Sequence, residues 1–106
     1  MGRALSDASE MQIIYSVAKD VYEGKYSVKY GQLYLQGKVQ GTPSSLRMYF
    51  DIYSRMRDGK CYKMGTSEAF TRFLLDKIYE DSGIDAYNNA LSAVKGNSSY
   101  RESVNN

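Results

Sequence analysis

Apolar residues recur at spacings of three and four along most of the chain, and a capping residue and a glycine bracket most of the runs. Met11, Ile14, Tyr15, Val17, Ala18, Val21 and Tyr22 form the first stripe, the pattern of an amphipathic helix with one face turned inward. It predicts a helix over residues 9–23, with Asp7 or Ser9 as N-cap and Gly24 just past its end. Ser27 then opens a shorter predicted helix from Val28 to about Lys38, which Gly31 and Gly37 weaken by about 1 kcal/mol each relative to alanine. Gly41-Thr42-Pro43 is the sharpest punctuation in the chain. Thr42 is a good N-cap, and a proline at the first helical position loses no hydrogen bond. The third predicted helix runs from Pro43 to about Arg57, with Leu46, Tyr49, Phe50, Tyr53 and Met56 on its stripe and Gly59 as its stop. Residues 60–64 read as an extended linker or a very short strand. Ser67 caps a fourth helix marked by Phe70, Phe73, Leu74, Lys77 and Ile78, which runs to about Glu80 and ends by Gly83. A fifth covers Asp85–Lys95, with Tyr87, Ala90, Leu91 and Val94 inward, and Gly96-Asn97-Ser98-Ser99 closes it. The tail 97–106 is polar, and Tyr100–Asn106 is expected to fray. The expectation is an all-α fold, a compact bundle of about five helices forming one domain over residues 1–106.

Composition removes whole classes of chemistry. The 106 residues include no histidine, no tryptophan and a single cysteine, Cys61, but 11 tyrosines. Neither a Ser-His-Asp nor a Cys-His nucleophile system can be built from this chain alone. A zinc site of the usual Cys/His kind and an internal disulfide are equally out of reach. Cys61 has no activating base in view. Glu80, Asp81 and Asp85 could offer oxygen ligands to a cation, but the plainer reading is a solvated surface and favourable charge at a helix start. No catalytic residue, metal or cofactor is therefore expected. The chain shows no apolar core of signal-peptide length and no run that could span a bilayer, so it reads as soluble and cytoplasmic, without a membrane partner. Met1, Gly2 and Ser6 fit the minimal myristoylation pattern, which is short enough to arise by chance.

Charge is unevenly spread. The net charge is +2, yet residues 25–63 carry eight cations against Asp51 and Asp58, a local +6, while each flank stands at −2. A basic centre of this kind suggests an anionic partner. It overlaps residues 27–58, where a short helix, a glycine-bearing turn and a second helix make a helix-turn-helix-like unit. Thr42, Ser44 and Ser45 at the start of the second helix could hold phosphate oxygens. Arg47 lies near enough to that start to reach a base edge. Lys29, Lys38, Arg55, Arg57, Lys60 and Lys63 are the expected phosphate contacts. On this reading the partner is double-stranded DNA.

Tyr22, Tyr26, Tyr30 and Tyr34 recur every four residues. On one unbroken helix they would form a base-stacking stripe, but Gly24 and Ser27 predict a break, so the tyrosines read as packing. An alternative function follows from them, a protein–protein interaction or dimerisation module with Tyr26, Tyr30, Tyr34, Tyr49 and Tyr53 at the interface.

Three stretches carry a resemblance. They are Gly41-Thr42-Pro43-Ser44-Ser45-Leu46-Arg47-Met48-Tyr49-Phe50; Tyr53 to Met56 with Gly59-Lys60-Cys61-Tyr62; and Thr66 to Leu75, continuing through Ile78 and Gly83 to Ala86-Tyr87 and Ala90 to Val94. Over roughly residues 14–95 the chain resembles the helical N-terminal region that precedes the nuclease module in bacterial HNH restriction-type endonucleases. The resemblance implies a DNA-recognition region that stands alone or is covalently linked to a nuclease domain. It does not imply cleavage, because that module needs histidines and a divalent metal. Pro43 also stands where the family is usually polar.

Overall fold

Four helices make up the regular structure of the described residues, α1 (Ala8–Tyr22), α2 (Val28–Gln36), α3 (Pro43–Asp58) and α4 (Glu68–Asn105). The computed structural model describes residues 7–63 and 66–105, with side chains as far as Asn97. The myristoylation pattern at Met1, Gly2 and Ser6 lies outside the described residues, as does Met64. No strand occurs among the described residues, and 60–63 is an irregular connection.

Side-chain caps set the helix starts. Asp7 accepts the backbone N–H groups of Ser9 and Glu10 at 2.9 and 3.2 Å. Ser27 accepts that of Tyr30 at 3.1 Å, Thr42 that of Ser45 at 3.2 Å, and Ser67 that of Phe70 at 3.1 Å. Each satisfies a donor that the helix itself cannot, for about 1 kcal/mol. These are the caps the residue pattern predicts, and Gly24 and Gly59 follow the ends of α1 and α3 as expected.

The chain divides into two compact units between Ser54 and Arg55. In the first, the core holds Met11, Ile14, Tyr15, Val17 and Ala18 from α1, Leu35 from α2, Val39, and Leu46, Phe50, Ile52 and Tyr53 from α3. Tyr53 has no exposed surface, and the rings of Tyr15 and Tyr22 meet it edge-on, each with centroids 5.8 Å away. Gly31 and Leu35 are the buried residues of α2. A Cβ on Gly31 would stand 2.9 Å from Val21 Cγ2 and 3.0 Å from Phe50 Cζ. The residue that weakens α2 as a helix is thus the one that lets its backbone approach α1 and α3.

In the second unit Met56, Tyr62, Phe70, Leu74, Ile78, Ala90 and Ala93 are buried. Asn97 is buried with them and donates from Nδ2 to the Tyr62 carbonyl at 2.8 Å. Asn89 donates to the Arg57 carbonyl at 3.3 Å, and Arg55 donates from Nη1 to the Cys61 carbonyl at 3.1 Å.

One expectation about this unit is met in part and one is corrected. The predicted fourth and fifth helices run on as one element, α4, but the predicted interruption between them is present at Gly83, whose φ 89° and ψ −175° are not helical. Glycine alone adopts that backbone conformation readily. Gly96-Asn97-Ser98-Ser99, however, does not close a helix, because α4 continues to Asn105. The reason is packing. A Cβ on Gly96 would collide with Cys61 Sγ, and the Asn97 amide is engaged with Tyr62. Both residues serve close contact, not termination.

Candidate functional site

The fully buried residues of α2 form one narrow strip, Gly31 and Leu35, and helix geometry fixes where the rest of it points. Leu33 lies opposite that strip, with Tyr30 and Tyr34 beside it on one flank and Lys29 on the other. Leu33 is 58% exposed, Tyr30 53% and Tyr34 45%. Tyr22, Tyr26 and Val28 are also exposed, which places six exposed large apolar side chains between residues 22 and 34. The sequence reading missed Leu33. Its outward side follows from the burial of Gly31 and Leu35, two places to either side of it, and the burial of Gly31 is a tertiary contact that no local pattern marks.

The tyrosine series splits differently from expectation. The predicted break is present, and Tyr22 turns onto Tyr53. Yet Tyr26, from the linker, lies against Tyr30 with ring centroids 4.8 Å apart and planes 31° from parallel. Tyr26, Tyr30 and Tyr34 together border a concavity of about 150 Å³ with Ser16, Val17 and Asp20 of α1. Lys38 places its Nζ 5.7 Å from the centre of the Tyr34 ring. Two members of the expected tyrosine interface are corrected. Tyr53 is a core residue, and Tyr49 is half-buried.

The expected DNA contacts fall in both units. Lys29, Lys38, Thr42, Ser44, Ser45 and Arg47 belong to the first, and Arg55, Arg57, Lys60 and Lys63 to the second. Lys29, Lys38, Thr42, Ser44 and Arg47 are exposed. Ser45 is half-buried, and its hydroxyl accepts from Thr42 Oγ1 at 3.0 Å. Arg47 lines a concavity of about 550 Å³ with Val21, Tyr22, Val28, Phe50, Asp51 and Ser54. In the second unit Arg55, Lys60 and Lys63 are exposed and Arg57 is half-buried. The hydrogen bond from Arg55 to the Cys61 carbonyl ties that guanidinium to its own unit.

Local electrostatics separates engaged charges from outward ones. Lys25 sits 3.6 Å from Asp20 and 3.5 Å from Glu23. Asp20 first, and then Glu23, hold its ammonium above the ordinary lysine pKa. Glu10 accepts the Gln40 backbone N–H at 3.2 Å. Burial, and secondarily the Glu10 charge, raises the Tyr49 hydroxyl above its usual value. Lys29 and Lys38, by contrast, project beside the exposed face of α2, which contains no carboxylate.

Among the described residues no group of three or more Cys, Asp and Glu side chains is placed to hold a metal ion. No helix among them is long and apolar enough to cross a membrane. Comparison with family models, curated proteins and solved structures gives no match to this chain.

Proposed function

We propose that this chain is a non-catalytic binding module and that the outer face of α2 recognises a protein partner. The observation that carries this reading is the exposure of Leu33 and Tyr30 on the side of α2 opposite its buried strip. Large apolar side chains gathered on one exposed face are typical of interaction sites, and tyrosine is enriched at the centres of interfaces. Panning a randomised helical-peptide display library on the full chain tests it. Enriched peptides should lose at least about tenfold in affinity on Leu33→Asp, a loss of about 1.4 kcal/mol or more, with far-UV circular dichroism unchanged. No enrichment, or retention indifferent to that substitution, removes the reading.

A second reading, double-stranded DNA recognition by the helix-turn-helix-like unit 27–58, is favoured by exposed Arg47 and Ser44 near the start of α3. The likeness to the N-terminal region of HNH endonucleases supports it too, with cleavage left to a separate histidine-bearing module. Lys29, Lys38, Arg55, Arg57, Lys60 and Lys63 would then contact phosphates. If about five of them do so, the log–log salt slope of duplex binding is roughly −4 to −5. Fluorescence anisotropy at two salt concentrations measures it, and a flat response excludes this reading.

A further inference from the structure

We infer that the occupant of the α2 face is an acidic amphipathic segment of a different protein, and this rests on the protein-recognition reading of α2. Charge makes the first part of the case. Residues 24–50 contain Lys25, Lys29, Lys38 and Arg47 and no carboxylate. The neighbouring acids lie on the α1 side, where Asp20 and Glu23, just past the end of α1, share Lys25, and Glu10 accepts the Gln40 N–H. The exposed apolar face is therefore bordered at both ends of α2 by cations, Lys29 and Lys38. Its complement has apolar anchors flanked by Asp or Glu.

The same charges disfavour a second copy. A twofold antiparallel pairing of α2 with itself would bring Lys29 of one copy toward Lys38 of the other. A head-to-tail contact between copies does not close unless its rotation forms a ring. Single-stranded nucleic acid is disfavoured by how the rings are used. Stacking needs free aromatic faces, but Tyr26 and Tyr30 face each other and Lys38 lies over Tyr34. Leu33, the most exposed of these side chains, offers no ring at all. What remains outward is aliphatic surface, tyrosine edges and lysine, which suit a helix laid along the face by anchors one turn apart.

The display selection on the full chain supplies the test. Enriched sequences should carry apolar residues at helical spacing with Asp or Glu beside them. Their synthetic peptides should bind the Lys29→Glu/Lys38→Glu variant about tenfold more weakly than wild type, and wild-type binding should weaken as salt rises. The same peptides with lysine replacing each acid should prefer the double variant. Enriched peptides without acidic bias, or unmoved by the charge reversal, overturn the assignment and leave the α2 reading standing if Leu33→Asp still abolishes binding. A wild-type dimer in sedimentation velocity that Leu33→Asp dissociates overturns it in favour of a second copy. Binding of oligo(dT) that Tyr30→Ala abolishes overturns it in favour of nucleic acid. No enrichment at all overturns both.

Discussion

Tyr26 and Tyr30 lie ring against ring, with centroids 4.8 Å apart, although α2 begins between them at Val28. A linker residue thus completes a surface that the helix alone would leave as two tyrosines. Both rings are more than two-fifths exposed, so the contact adds little to stability. Tyr30→Ala should lower the unfolding free energy by no more than about 1 kcal/mol in urea titration, while weakening peptide capture at α2 far more. A loss of several kcal/mol would show that Tyr30 is a structural residue.

Gly31→Ala sets helix propensity against space. Alanine should favour α2 by about 1 kcal/mol, but its Cβ would press on Val21 Cγ2 at 2.9 Å and on the buried Phe50 ring at 3.0 Å. Overpacking of this kind costs about 1–3 kcal/mol, so the variant should be less stable than wild type by urea melts. Adding Val21→Ala should recover part of the loss, a coupling that a double-mutant cycle detects.

Gly83 distinguishes backbone strain from crowding. A Cβ there meets nothing within 4 Å, so any cost of substitution comes from φ 89° and ψ −175°. Asparagine tolerates the left-handed helical region but not this one. Gly83→Ala and Gly83→Asn should therefore destabilise alike, by about 1–3 kcal/mol. A clear advantage for asparagine in thermal melts would contradict the kink geometry.

Asn97→Ala removes the donor to the buried Tyr62 carbonyl. Leaving a buried acceptor without that bond costs about 1–3 kcal/mol. The expected result is a matching drop in denaturation midpoint, with the urea slope unchanged.

Tyr49 gives the alkaline response a sign. Its hydroxyl holds its proton more tightly than the ordinary value of 10.0, through burial first and the Glu10 charge second. The folded state therefore binds this proton better than the unfolded state does. The associated stability is fully present below about pH 10 and is lost as pH rises through the raised folded value. Tyr49→Phe should lose less stability than wild type between about pH 9 and 11, measured by urea titration at each pH. Equal losses would show that Tyr49 does not contribute.

The caps were legible in the residues because each is a local hydrogen bond. Asp7, Ser27, Thr42 and Ser67 needed only their own next few residues to be read. The inward stripe of α3 was legible for the same reason, and buried Ile52, three residues after Tyr49 and four before Met56, extends it on the same spacing. What could not be read depended on distant contacts. Gly83 and Gly96 look alike in sequence as helix stops, and Gly83 does interrupt α4 through its own dihedral angles, whereas Gly96 admits Cys61 against an unbroken helix. The three-tyrosine cluster was hidden because the break that spoils a helical stripe says nothing about where the linker then carries Tyr26. Exposure of Leu33 was decided by Gly31, whose close approach to α1 and α3 selects which side of α2 turns outward.

The Tyr15–Tyr53–Tyr22 cluster has an optical consequence. The chain has no tryptophan, so its near-ultraviolet signal comes chiefly from tyrosine. The rings held edge-on around the core residue Tyr53 all lie in the first unit, in a fixed asymmetric setting of the kind that gives near-ultraviolet dichroism and loses it when packing is lost. Tyr26, Tyr30 and Tyr34 are each about half exposed and should respond to a docked partner through their emission. One unlabelled sample thus carries separate spectroscopic reporters for melting of the core and for occupancy of the surface.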